Sequence, residues 1–126
     1  MFSFQDLKVW EKSIDFAQKV ILLVEDLDTS RKHYRLVEQL ESAVTSISMN
    51  IAEGKWRYSV KEFIRFLYIA RGSLFETITL LLLFEKLSWI PIKTLIELQK
   101  DAEEITKMLN SLINSVKKKK DHKKIS

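Results

Sequence analysis

The basic residues of this chain fall into three clusters, and aromatic residues are interleaved with the middle one. Lysine and arginine neutralise phosphate groups, and exposed aromatic rings stack on nucleobases. The middle cluster therefore predicts a nucleic-acid interface, although solvated charge beside two packed rings would give the same pattern. The three clusters are Arg31, Lys32, His33 and Arg35, then Lys55, Trp56, Arg57, Tyr58, Lys61 and Arg65, and finally Lys117, Lys118, Lys119, Lys120, Lys123 and Lys124.

A line of polar residues follows one predicted helix at spacings of 7, 4 and 3 positions. Its members are Gln39, Ser46, Asn50 and Glu53. These spacings place all four side chains on one helical face. The line forms either a half-buried binding groove or a hydrogen-bonded network that fixes the register of the helices.

Gly72 and Glu76 interrupt the most apolar segment of the chain. A glycine inside a helix costs about 0.5–1 kcal/mol relative to alanine, so this position indicates a close approach by another group. That group is either a ligand or a neighbouring helix. Glu76 lies among leucines, and we expect it to find a polar partner on its own helix or on another one.

The residue types needed for catalysis are sparse. The only histidines are His33 and His122, and the chain has no cysteine. Neither histidine has a second ligand at metal-binding spacing, no Glu-x-x-His pair of a diiron bundle occurs, and no glycine-rich phosphate loop is present. We therefore expect a protein that binds and does not catalyse, with no cofactor and no metal ion.

The net charge of +4 arises at the C-terminal end of the chain. Residues 117–126 hold six lysines and one aspartate, whereas the remaining residues hold 15 basic and 16 acidic side chains. This lysine tail either attracts nucleic acid non-specifically or serves only solubility. The absence of cysteine and of an apolar N-terminal signal segment predicts a cytoplasmic protein.

Apolar residues recur at spacings of three and four, which predicts four long helices. The first covers about residues 5–26, with the stripe Leu7, Trp10, Ile14, Ala17, Ile21 and Val24 beside the stripe Val9, Phe16, Val20, Leu23 and Leu27. The second covers about residues 31–53, after a cap at residues 28–30 and before an expected left-handed C-cap at Gly54. Its seam is Leu36, Leu40, Ala43, Ile47 and Asn50.

The third helix is predicted from a Ser59–Glu62 capping box to about Leu87, and the fourth begins near Pro91. Of the 29 positions of the third helix, 17 are apolar, which is more than one core-facing stripe needs. Its internal charges favour a buried helix over a membrane span. The sequence thus predicts an all-α, antiparallel up-down-up-down four-helix bundle over residues 1–116, with a basic, disordered tail over residues 117–126.

Two motifs occur in a fixed order, Asn50-Ile51-Ala52-Glu53-Gly54 and Gly72-Ser73-Leu74 followed by Glu76. They are accompanied by Phe4, Leu7, Val9, Trp10, Gln39, Leu40, Ala43, Ser46, Ile47, Glu62 and Phe63. Over about residues 4–115 this pattern resembles the four helix bundle protein family, which includes proteins encoded by intervening sequences in bacterial 23S ribosomal RNA genes. The resemblance implies an up-down bundle that in some members forms a ring-shaped homopentamer. It also implies kinship with the accessory variability determinant of diversity-generating retroelements, a basic pentamer that partners a reverse transcriptase and binds nucleic acid.

These observations predict a bacterial, non-catalytic oligomer that binds structured RNA or DNA/RNA through the basic helix junction and the lysine tail. Large exposed apolar patches are rare on soluble monomers, so the surplus apolar surface of the first and third helices predicts self-association. A count of five subunits comes only from the resemblance. The alternative is a protein-interaction scaffold or an accessory subunit, for example of a reverse transcriptase, that does not contact nucleic acid directly. No membrane partner is expected.

Overall fold

The chain folds into four long helices, as the apolar periodicity predicts. The computed structural model describes the backbone of residues 2–27 and 33–125, and the side chains as far as residue 119. A short 3-10 helix precedes the long ones at Ser3–Asp6. The long helices are α1 (Lys8–Glu25), α2 (Tyr34–Trp56), α3 (Val60–Lys86) and α4 (Ile92–Ile125). The predicted all-α antiparallel bundle is confirmed.

The helices form a ring in which each one packs against two others. Within residues 2–27 and 33–125, α1 and α3 each contact α2 and α4, but α1 does not contact α3 and α2 does not contact α4. Neighbouring helices run in opposite directions, since Gln39 lies opposite Glu76 while Gly54 lies opposite Phe66. All four helices contribute to one core, and burying each of its large side chains stabilises the fold by about 1.5–3 kcal/mol. The largest fully buried residues include Phe16, Leu40, Ile47, Leu74, Leu81, Phe84, Ile105 and Leu109.

Helix α1 turns members of both predicted stripes into the core, including Ala17 and Val24 of the first stripe. Val9, Phe16 and Val20 of the second stripe are buried, whereas Ile14 of the first stripe is 40% exposed. The buried face is completed by Ser13, a polar residue that the apolar pattern omits. Its hydroxyl donates to the Trp10 carbonyl at 2.7 Å, and this bond allows a serine to lie in the core.

Helix α1 begins three residues later than predicted, because the backbone is extended at Leu7. This break lets the N-terminal residues fold across the end of the bundle. The Phe4 ring packs on Trp10 with centroids 5.4 Å apart, and the Phe2 ring reaches Trp56 at 5.7 Å. Aromatic pairs at such distances contribute about 0.5–1.5 kcal/mol beyond their burial.

Gly54 does not end α2, which is a correction to the expected C-cap. The helix continues to Trp56, and neither glycine has a positive φ. Gly54 is instead buried where α2 meets α3. A Cβ atom built there would lie 2.7 Å from Cβ of Phe66 and 3.0 Å from Cδ1 of Phe63. The glycine is required by close helix packing, not by a left-handed backbone. The predicted cap of α2 at residues 28–30 lies outside the described residues.

The predicted start of α3 is confirmed, since the Ser59 hydroxyl accepts from the Glu62 backbone N–H at 3.3 Å. Its end is a left-handed turn at Ser88, where φ is 62°. The Trp89 N–H donates to the Phe84 carbonyl at 2.9 Å, and the two rings pack with centroids 4.8 Å apart. This is a Schellman motif with its usual apolar contact. By length and composition alone α3 could cross a membrane, but here its inner face packs against α2 and α4.

Helix α4 presents the predicted seam to the core. The seam comprises Leu95, Leu98, Ala102, Ile105, Leu109, Leu112 and Val116, and all of them are buried except Leu112, which is half-buried. The sequence predicts a disordered tail after Val116, but the backbone of α4 remains helical to Ile125. Lysine has a high helix propensity, so the sequence itself favours this continuation. The division into a bundle and a separate tail stays a prediction.

Candidate nucleic-acid interface

The connection between α2 and α3 exposes two aromatic side chains. Trp56, the last residue of α2, is 63% exposed, and Tyr58 in the connection is fully exposed. The Trp56 ring meets Phe2 nearly at a right angle, and Phe2 in turn stacks on Phe4 with centroids 5.6 Å apart. A row of rings therefore supports Trp56 from the N-terminal side of the chain.

The arginines of the junction lie against an aromatic ring of α3. The guanidinium carbons of Arg57 and Arg65 lie 5.2 Å and 4.6 Å from the centroid of Phe66. Arg57 also pairs with Glu53 at 2.6 Å, and Arg65 pairs with Glu62 at 3.0 Å. Exposed pairs of this kind contribute about 0–1 kcal/mol, so a phosphate can replace the carboxylate at little cost. The ring holds both guanidinium groups in place.

The two lysines of the junction are more available than its arginines. The Lys55 ammonium lies 5.7 Å from the centroid of Phe63, and Lys61 is exposed on the first turn of α3. Among the side chains described here, neither lysine forms an ion pair. Both can therefore meet a phosphate without first losing a carboxylate partner.

Lys117, the first residue of the lysine tail, contacts α3, and no pattern in the sequence predicts this contact. The Lys117 ammonium donates to the Tyr68 hydroxyl at 2.6 Å and lies 5.2 Å from the ring centroid. This hydrogen bond lowers the pKa of Tyr68. Arg71 lies on the same ring at 4.8 Å and donates to Asn110 of α4 at 2.9 Å. Since α4 runs antiparallel to α3, its backbone beyond Lys117 heads toward the junction.

The chain matches a known family over most of its length. A family model described as 23S rRNA-intervening sequence protein matches residues 5–111. The chain belongs to the 23S rRNA-intervening sequence protein family. It is also similar to a crystal structure from Bacteroides thetaiotaomicron VPI-5482, described as a protein with unknown function from the S23 ribosomal protein family. The two are 31% identical with a TM-score of 0.78, and the match covers 84% of this chain and 95% of the other. No curated protein matches at a significant level.

In this intervening-sequence family member, the described residues of the first basic cluster, His33 and Arg35, lie far from the helix junction. Arg31 and Lys32 fall outside the described residues. Arg35 is exposed at the start of α2, 21 residues before Trp56, which corresponds to about 30 Å of helix. The ring of His33 packs on Trp89 with centroids 4.8 Å apart. The predicted interface therefore does not include Arg35 as part of one continuous surface.

The predicted polar line divides into separate groups along the α2–α3 seam. Gln39 donates to Glu76 at 3.2 Å. Asn50 donates to the Ser46 hydroxyl at 2.8 Å, and Ser46 also accepts from Ser73 at 3.0 Å. These bonds join α2 and α3 at fixed positions, as a hydrogen-bonded network that fixes the register of the helices would do. Glu53, the last member of the line, instead pairs with Arg57. Gly72, which has no side chain to donate or accept, bonds to neither group.

Gly72 is not a point of close packing within the subunit. The residue is exposed, and no atom lies within 4 Å of where its Cβ would stand. It lies on the outer face of α3, which faces away from the core. Apolar residues on that face are only half-covered, with Phe75 50%, Leu82 38% and Leu83 39% exposed.

The sequence patterns did not single out Tyr68, Arg71 and Phe75, which form a row along α3 whose first two members border the candidate interface. Arg71 lies between the two rings, at 4.8 Å from the centroid of Tyr68 and 6.0 Å from that of Phe75. A ring, a cation and a ring at positions i, i+3 and i+7 lie along one helical face, so this spacing could have revealed them. Lys117 as the second cation on Tyr68 had no such signal, because it comes from another helix.

Proposed function

We propose that this family member binds nucleic acid without catalysing a reaction, and that it acts as an oligomer of identical subunits. The observation that carries the proposal is the pairing of cations with rings along α3. Arg57 and Arg65 lie on Phe66, while Arg71 and Lys117 lie on Tyr68. This pairing places positive charges beside aromatic surfaces. A site that binds the phosphates and the bases of a nucleic acid together needs both kinds of group.

Structured RNA is the ligand that we propose first. The description of the family refers to intervening sequences of 23S rRNA, which supports an RNA partner over a DNA partner. A cytoplasmic location, which the lack of cysteine predicts, agrees with access to ribosomal RNA. The charge of the junction and of the C-terminal lysines supplies attraction that does not depend on sequence.

Binding should depend steeply on salt. Each phosphate neutralised by a lysine or arginine releases counterions, so six such contacts lower affinity by about 10³-fold between 50 and 200 mM salt. Fluorescence anisotropy with a labelled RNA hairpin, titrated at several salt concentrations, measures this slope. A chain of the same fold without exposed cation clusters serves as the control. Absence of binding at 50 mM salt would overturn the proposal.

The outer face of α3 supports self-association as part of the same proposal. Phe75, Leu82 and Leu83 are large apolar residues at spacings that share one face, and Gly72, one turn before Phe75, leaves room for another backbone. A glycine at an exposed helical position lowers stability unless a second chain packs there. A second copy of this chain, with the same face, is the occupant that we propose.

A charge on this face should break the oligomer. We expect Leu82→Glu with Leu83→Glu to yield a monomer near 14.9 kDa, because each buried leucine contributes about 1.5–3 kcal/mol to an interface. Light scattering after gel filtration measures the mass, and Gln18→Glu on the exposed side of α1 controls for added charge. A wild-type chain that is already monomeric refutes self-association. It would favour the second candidate function, in which this face binds another polypeptide and the protein is a scaffold or accessory subunit.

A further inference from the structure

We infer that the junction between α2 and α3 holds an unpaired nucleobase between the rings of Trp56 and Tyr58. The ligand class would then be single-stranded or looped-out nucleotides, not a regular duplex. This inference rests on the proposed function and narrows it.

Both rings are exposed to a degree that is unusual for such large side chains. Trp56 is 63% exposed and Tyr58 is fully exposed, so Tyr58 has no packing role in the subunit. The cations Lys55, Arg57 and Arg65 lie over the rings of Phe63 and Phe66, and not over the rings of Trp56 or Tyr58. The ring surfaces of Trp56 and Tyr58 are therefore not used by the cations around them.

The chain between the two residues is long enough for their rings to lie on either side of one base. Trp56 and Tyr58 flank Arg57, whose backbone is extended with φ −70° and ψ 146°. Two residues of extended chain span at most about 7 Å. Stacked bases follow one another at about 3.4 Å, so a base held between two rings also separates those rings by about 7 Å. Contact with Phe2 restrains Trp56 before the ligand arrives, which lowers the entropic cost of ordering that ring.

The surrounding charges suit a strand that passes through the junction. Lys55 precedes the rings and Lys61 follows them, so phosphates on either side of the held base have a cation to meet. A base inside a duplex has both faces covered by its neighbours, and it cannot enter such a site without being unstacked. Unpaired nucleotides in loops, bulges and ends lack this barrier.

The test compares RNA ligands on the intact chain at 50 mM salt. Fluorescence anisotropy is measured with a labelled 12-nucleotide single strand, with the same strand in a blunt duplex, and with an abasic version of the strand. We expect Trp56→Ala or Tyr58→Ala to weaken binding of the single strand by about 5- to 100-fold. Binding of the duplex and of the abasic strand should change less than about twofold, since neither offers a free base to stack.

Matched variants separate stacking from other effects. Trp56→Phe and Tyr58→Phe keep a ring and should retain most of the affinity, whereas Tyr34→Ala removes a 52% exposed ring at the opposite end of α2 and should change nothing. Equal losses for single strand and duplex, or wild-type affinity of both alanine variants, would overturn the inference while leaving the proposed function intact. If the wild-type chain bound none of the three ligands, both the inference and the proposed function would be overturned.

Discussion

Gly54→Ala should destabilise the bundle by about 1–3 kcal/mol, although alanine is the better helix former. The added Cβ would stand 2.7 Å from Cβ of Phe66, which is an atom fixed to the backbone of α3. The two helices must separate to admit it, and the packing around Phe63 is disturbed as well. Urea unfolding followed by circular dichroism measures the change in the free energy of unfolding.

Gly72→Ala is the matched control, and in an isolated subunit, such as the Leu82→Glu, Leu83→Glu variant, it should have the opposite sign. Beyond the backbone of its own helix, no atom of the subunit would lie within 4 Å of a Cβ at position 72. Alanine should therefore raise the free energy of unfolding by about 0.5–1 kcal/mol, because it is the better helix former. An increase in stability for Gly54→Ala would contradict the close approach of α2 and α3. A loss of stability or of oligomer mass for Gly72→Ala in the otherwise unchanged chain would instead show that a second chain covers this position.

Neutralising the junction should weaken RNA binding by about 10- to 100-fold at 50 mM salt. In the triple variant Arg57→Gln, Lys61→Gln and Arg65→Gln, three phosphate contacts are lost. The slope of the logarithm of affinity against the logarithm of salt should fall by about 2, since each contact to a single strand contributes about 0.7. Anisotropy titrations across salt concentrations yield both quantities from one series.

The control variant removes the same charge from the far end of the bundle. Arg35→Gln, Lys86→Gln and Lys93→Gln lie at the start of α2, the end of α3 and the start of α4. We expect their effect to be several-fold smaller, because these exposed charges lie about 30 Å from the junction. Deleting residues 117–126 should weaken binding without abolishing it. If that deletion alone removed all binding, the junction would not be the site.

The helices and their capping could be predicted from sequence, because both depend on local patterns. The α4 seam from Leu95 to Val116 repeats every three or four residues, and Ser59 precedes Glu62 at the spacing that a helix start requires. The motif resemblance also identified the family correctly. The seam, the cap and each of the two family motifs can be recognised within a short stretch of chain.

Features that depend on distant neighbours could not be predicted in the same way. Gly54 has the local pattern of a C-cap, and only the position of Phe66 on α3 shows that it is a contact point. Ser13 is buried while Ile14 beside it is exposed, because the direction of the core is set by how α1 packs on α2 and α4. The contact of Lys117 with Tyr68 joins residues 49 positions apart.

The ring arrangement of the helices bears on how the chain folds. Three of its four packed pairs join helices that follow one another in sequence, and only α1 with α4 does not. Lys19 of α1 meets Asp101 of α4 across 82 residues. Folds rich in short-range contacts form quickly, because little loop entropy is lost before each contact is made. Among the four long helices in the part of the chain that the structure describes, α1 and α4 are the one packed pair that must come together across the length of the bundle's sequence.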